Sequence, residues 1–217
     1  RLTALLGLFQ SITCFSYSVD HGGECRLKSG LRKYACHLTL DPNTAHPNLI
    51  LSEGNRKVTL VEEEQHNEDH PDRFDCSPKV QNPRLLFNCR YHVLCREGLS
   101  GYRYYWEVEW DGDMVVIGVV NKGKKRKEEM SCFLHCSRGS LFYHNGSSMC
   151  SCRPVPNRVG VYLDWPAGTL SFYSVSSSGT LTHLNSDQTR FTEPLYPMFG
   201  VSSSVTLCQI DDQHIQR

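Results

Sequence analysis

The chain has 217 residues, of which 39% are hydrophobic and 21% charged, which excludes a disordered chain and suits one large β domain or two small ones. Lys+Arg and Asp+Glu stand at 23 each, so the formal net charge is zero. The basic excess with which a nucleic-acid binder releases counterions from phosphates is missing.

The first residue is Arg1 rather than Met, and the chain reads as a fragment or the tail of a longer protein. Residues 2–15 (LTALLGLFQSITCF) are apolar but too short to cross a membrane, which takes about 20 residues. They fit a signal-peptide core in length, but no small-x-small cleavage site follows, so the reading is an amphipathic helix or an inherited linker. Residues 1–33 show no period-2 pattern, and Gly22, Gly23, Ser29 and Gly30 mark loops. They are assigned as a linker or the remnant of an upstream region.

From Tyr34 the pattern changes. Residues 35–40 read as a short strand closed by the Asp41-Pro42-Asn43 turn. Residues 49–51 are a compact apolar run, 52–55 a turn, and 57–61 alternate as a strand. Residues 62–72 are acidic and His-rich, and the cost of burying charge places them in an exposed loop. The clearest strand is 104–110 (YYWEVEW). Tyr104, Trp106, Val108 and Trp110 share one face, and Tyr105, Glu107 and Glu109 the other, as in a half-buried antiparallel strand. Asp111-Gly112-Asp113 turns into a return strand over 114–120. Residues 121–129 (NKGKKRKEE) form a charge run, read as a solvated loop rather than a nucleic-acid or nuclear-localisation patch. Short strands follow at 132–136, 141–144, 159–163, 169–175, 181–184, 195–199 and 205–208. Asn145-Gly146, Pro166-Ala167-Gly168, Ser178-Gly179 and Glu193-Pro194 turn the chain between them. Short strands at this spacing indicate an all-β sandwich or barrel.

The 11 cysteines are an odd number, which argues for reduced thiols in the cytosol rather than a secreted disulfide framework. Cys36, Cys89, Cys95 and Cys208 read as core filling. Cys132, Cys136, Cys150 and Cys152 have C-x3-C and C-x-C spacings that suit a tetrahedral zinc site poorly, so no metal is assigned. His135 and Cys136 are adjacent on a strand and point to opposite faces, so they make no nucleophile–base pair. Asn145-Gly146-Ser147 is a glycosylation sequon, read locally as a hairpin turn. No nucleophile elbow, P-loop or G-x-G-x-x-G occurs, and the chain is read as a non-enzyme without a cofactor.

Several stretches together carry a family resemblance. Residues 40–46 (LDPNTAH) with 49–53 (LILSE), and 70–75 (HPDRFD), resemble the PRY signature. Residues 93–101 (VLCREGLSG) with 105–110 (YWEVEW) resemble the start of SPRY; 158–164 (RVGVYLD) and 167–175 (AGTLSFYSV) its most diagnostic block; 191–199 (FTEPLYPMF) the block that closes it. The order is the family's across about residues 34–210, and the wording is similar to fish PRY–SPRY (B30.2) domains of NACHT-type receptors, tripartite-motif proteins and stonefish-toxin-like proteins. Three divisions follow: PRY over 34–90 with an atypical insertion at 81–92, SPRY over 93–210, and a tail over 211–217.

The resemblance implies a two-layer antiparallel β-sandwich, a concanavalin-like jelly roll, preceded by a short helical or irregular segment. Gly160 is expected to let the two sheets approach, Gly168 to supply positive φ in a tight loop, and Trp106, Tyr162, Phe172, Tyr173 and Phe199 to fill the core. Two departures stand out: residues 114–131 are shortened, and Cys132 stands where relatives carry Trp, so a hole or a repacked sheet is expected there.

The family implies a loop-lined face that grips a protein ligand. By position, the binding residues are His135 and Ser137, with Phe133 and Arg138 beside them, Tyr143 and His144 on the next strand, and loop residues Asn55, Arg56 and Asp187. The implied function is non-catalytic capture of a protein, in the cytoplasm, at the end of an innate-immunity receptor. Two alternatives stay open: the substrate-recognition end of a tripartite-motif E3 ubiquitin ligase, and a fragment of a stonefish-toxin-like secreted pore former. Expected partners are a protein ligand, no nucleic acid and no inserted membrane, with the domain itself monomeric.

Overall fold

Thirteen strands form among the residues that the computed structural model describes: 30–63, 91–122, 132–137, 140–144, 149–150 and 155–210, with backbone alone for 140–144 and 149–150. The expectations for residues 1–29, 64–90, 123–131, Arg138, the Asn145 sequon, Cys152 and the 211–217 tail lie outside them.

In chain order the strands are β1 (Leu49–Ser52), β2 (Lys57–Leu60), β3 (His92–Leu94), β4 (Arg103–Asp111), β5 (Met114–Asn121), β6 (Cys132–Ser137), β7 (Ser140–His144), β8 (Met149–Cys150), β9 (Arg158–Asp164), β10 (Thr169–Val175), β11 (Leu181–Gln188), β12 (Leu195–Val201) and β13 (Ser204–Leu207). One sheet has seven strands in the order β1-β2-β13-β4-β9-β10-β11, the other six in the order β3-β12-β5-β6-β7-β8. Every named pairing is antiparallel, and the two sheets make the expected sandwich.

The core lies between the sheets. Trp106, Val161 and Phe172 reach it from the seven-stranded sheet, and Ile117, Leu134 and Phe199 from the six-stranded sheet. Burying each large side chain stabilises by roughly 2–3 kcal/mol. Tyr162 and Tyr173 are buried as expected, but not in this core. With Tyr105 they form a second apolar cluster on the outer face of the seven-stranded sheet, and Leu31 sits in it with no exposed surface.

That outer layer corrects several expectations. The centre of strand β4 is buried on both faces, for Tyr105 and Glu107 are 0% exposed, while Glu109 further along stays exposed. Gly160 does not serve the approach of two sheets: a Cβ there would lie 2.6 Å from the Tyr105 hydroxyl, so glycine makes room for a neighbour's ring in the same sheet. Gly168 does take the positive φ, +69°. Residues 35–40 form no strand. They follow a single 3-10 turn (Arg32–Tyr34) and touch the sheets through isolated bridges at Ala35 and Leu40. Thr39 is held by a side chain instead: its N–H and hydroxyl donate to Glu97 at 2.9 and 2.7 Å. Strands β3 and β8 were not anticipated, and Tyr91 and His92, placed in the insertion, flank and open β3.

Candidate protein-binding face

Strand β6 alternates cleanly. Cys132, Leu134 and Cys136 point into the core, and Phe133, His135 and Ser137 point outward. The register extends that outward set into rows across the six-stranded sheet. One row runs Leu94–Met198–Gly118–Phe133, with His144 next in backbone register. A second runs His92–Gly200–Val116–His135, with Phe142 next. Tyr196 pairs with Val120 beside them.

The face has an apolar floor of Leu94, Val116, Val120 and Met198, each at most 2% exposed, with half-buried Phe133 and Tyr196 packed against it. The Phe133 ring fills the space above Gly118, where a Cβ would come 2.3 Å from its Cδ1. Tyr196 lies against Gly98, and the Lys122 ammonium stands 4.4 Å above its ring. That arrangement is a cation–π contact, and Lys122 also reaches Asp41 at 3.8 Å.

The structure thus brings Phe133, His135 and Ser137 onto one face. His135 is 9% exposed and belongs to the floor more than the rim. Tyr143 pairs with Leu134 and His144 with Phe133, so the backbone register puts them in different rows. Arg138 lies outside the described residues. The other three candidates belong to the seven-stranded sheet. Asn55 turns β1 into β2 with φ +62°, and its carbonyl accepts the Leu40 N–H at 2.7 Å. The Arg56 side chain donates to the Glu53 carbonyl at 3.1 Å. Asp187 is no loop residue: it lies in β11 opposite Leu170 and is 7% exposed. Residues missed at the sequence level are Tyr196 and Met198. The signal was present in LYPMF, whose alternation sends Leu195 and Phe199 inward and Tyr196 and Met198 outward.

Where Trp was expected, Cys132 is buried in the core. Burial, reinforced by the neighbouring Asp187 carboxylate, pushes its thiol up to about 12. Burial also raises Cys36 to about 12 and Cys208 to about 11. None of Cys36, Cys95, Cys132, Cys136 and Cys208 is in a disulfide. The sign of the pH effect follows. Above the ordinary thiol value of 9.0 the unfolded chain loses protons that the folded chain retains. The thiols' contribution to stability is therefore fully present below pH 9 and is lost as pH rises from 9 towards 12, by about 1.4 kcal/mol per unit for each well-buried thiol. Urea denaturation from pH 8 to 11 is expected to show this decline, shallower in Cys132→Ala; superimposable pH slopes would refute the assignment.

Residues 38–80 match the PRY family (SPRY-associated domain), and residues 103–213 match the SPRY domain family. The chain is 39% identical over 188 residues to stonustoxin subunit beta of Synanceia horrida, covering 80% of this chain and 24% of that one. It is 42% identical over 170 residues to cytolytic toxin-beta of Scorpaena plumieri, covering 72% and 22%. With the E3 ubiquitin-protein ligase TRIM11 of Rattus norvegicus the identity is 36% over 191 residues, covering 83% and 38%. The chain therefore spans well under half the length of these relatives. The TRIM65 PSpry crystal structure superposes with a TM-score of 0.68 at 23% identity, over 86% of this chain and 97% of that one. The stonustoxin structure superposes with a TM-score of 0.61 at 36% identity, over 82% and 28%.

Proposed function

We propose, from the premise that this chain belongs to the PRY–SPRY (B30.2) family, that it captures a protein partner on the outer face of its six-stranded sheet and performs no catalysis. One observation carries the reading: a buried apolar floor bordered by half-buried Phe133, Tyr196 and Ser137. Aromatic side chains at the centre of a desolvated patch are the residues that dominate binding energy in protein interfaces. The zero net charge supports a protein ligand over a nucleic acid. The finer reading is a monomeric, cytoplasmic recognition module of an innate-immunity receptor, and the odd cysteine count supports its cytoplasmic part.

A second reading has its own support. The toxin subunits share up to 42% identity with this chain, so the domain as part of a toxin-like assembly is the alternative. The E3 ligase reading rests on TRIM11 at 36%. Glycosylation at Asn145, sought by mass spectrometry on the native protein, would favour the secreted alternative.

The test is affinity capture with the full chain and with a form lacking residues 1–29, a cut that keeps Leu31 and Arg32. A partner held by both is expected to bind at least about tenfold more weakly to a Phe133→Ala/Tyr196→Ala double variant, and unchanged to Arg56→Ala. A partner that ignores the double variant would place binding elsewhere.

A further inference from the structure

Residues 30–36 cross the outer face of the seven-stranded sheet as a strap, and its attachments differ in kind from those that hold the sandwich. Leu31 sits in the pocket of Tyr105, Tyr162 and Tyr173, an apolar cluster separate from the core between the sheets. Arg32 donates from Nε to Glu107 Oε1 at 2.9 Å and from Nη1 to the Gly179 carbonyl at 3.0 Å. The backbone contributes two bonds inside the strap, from the Tyr34 and Ala35 N–H groups to the Leu31 and Arg32 carbonyls, and one to the sheet, from the Cys36 N–H to the Tyr105 carbonyl at 3.0 Å. The Tyr34 hydroxyl accepts from Arg103 Nη1 at 2.9 Å.

Glu107 is the central element. It is wholly buried, yet it has two cations and a hydroxyl. Arg158 donates from Nε to Oε2 at 2.7 Å, and the Tyr105 hydroxyl donates to Oε1 at 2.8 Å. A buried carboxylate with a single cation would be stranded when that cation left, at a large desolvation cost. Glu107 is not stranded: if Arg32 departs, Arg158 and Tyr105 stay with it. The departure of Leu31 bares one pocket on the outside of a sheet and leaves the inter-sheet core closed.

We propose that residues 30–36 are a latch that opens as a unit, independently of the sandwich. Closed, it fixes where the upstream chain leaves the domain: on the seven-stranded sheet, across the sandwich from the outer face of the six-stranded sheet. The socket that holds it selects an apolar residue followed by arginine, because a three-tyrosine pocket adjoins a buried carboxylate.

Native-state hydrogen exchange on the full chain, at urea concentrations below the unfolding transition, tests the latch. The Tyr34, Ala35 and Cys36 amides are expected to be at least about 100-fold less protected than the paired amides of β4 and β9, and their exchange to be nearly independent of urea. Arg32→Ala is expected to speed those three amides by a further tenfold or so without urea. Strap amides that share the protection and urea dependence of β4 and β9 would make the strap part of the sandwich and overturn the proposal. Unchanged strap exchange in Arg32→Ala would do the same. Neither readout involves a partner, so the latch stands or falls separately from the binding face.

Discussion

Gly118→Val is expected to lower stability by about 3 kcal/mol or more, the largest effect of any single change on the binding face. The added Cβ would stand 2.2 Å from the Cys132 carbonyl oxygen and 2.3 Å from Phe133 Cδ1. The first of these is backbone, in the strand that pairs with β5, so relief requires β5 and β6 to separate. Against a total stability of about 5–15 kcal/mol, that is enough to depopulate the fold or leave it marginal. Phe133→Ala in the same chain would relieve one contact and not the other, so the double variant should recover only in part. Gly101→Ala is the control. Its φ is +74° but its Cβ would meet nothing within 4 Å, so the expected cost is about 1 kcal/mol. Chemical denaturation of the three proteins settles the matter; equal losses at positions 118 and 101 would show that the close approach is not what demands glycine.

Glu107→Ala is expected to cost about 3 kcal/mol, by calorimetry or urea denaturation. The carboxylate is the shared acceptor of Arg32, Arg158 and Tyr105, and its side chain has no exposed surface. Its loss leaves the buried Tyr105 hydroxyl without its acceptor and takes the buried partner from two guanidiniums, which keep the Gly179 carbonyl and Glu109 and, at 22% and 33% exposed, are partly hydrated. Glu109→Ala, two residues along the same face, removes an ion pair to the same Arg158, but Glu109 is 54% exposed. Solvent screening should hold that loss below about 1 kcal/mol. A Glu109 effect as large as that of Glu107 would mean that burial does not set the difference.

Those two glutamates show where sequence reading succeeds and stops. The alternation of YYWEVEW placed β4 and sorted its residues between two faces, and the runs of β9 and β10 were equally legible as strands, because period-2 patterning is local; that the second face is buried as well was not legible. What alternation cannot register is a second layer outside the sheet. Arg32 lies 75 residues before Glu107 and Arg158 51 after it, and the charges that make a buried glutamate tolerable come from there. The same limit explains Asp187. The polar stretch Asn185-Ser186-Asp187-Gln188 looks like a loop, but β10 supplies register partners that carry the strand through it. Conversely, residues 35–40 have a strand's pattern and lack a strand's neighbour, since Glu97 takes up the Thr39 backbone and hydroxyl. On the binding face, strand β6 and its outward set were readable from alternation. The apolar floor was not, because Leu94, Val116 and Met198 come from three strands that only the sheet order β3-β12-β5 brings together.

The pairing of Phe133 with Gly118 has an evolutionary corollary. Position 118 is closed to larger side chains by a carbonyl, whereas the side chain at 133 faces outward and lies half-buried against the apolar floor. A single replacement at 133 would turn a ridge into a hollow floored by bare backbone, while the core beneath stayed as it is. The face can therefore change relief, and with it the shapes it accepts, at a position outside the core between the sheets.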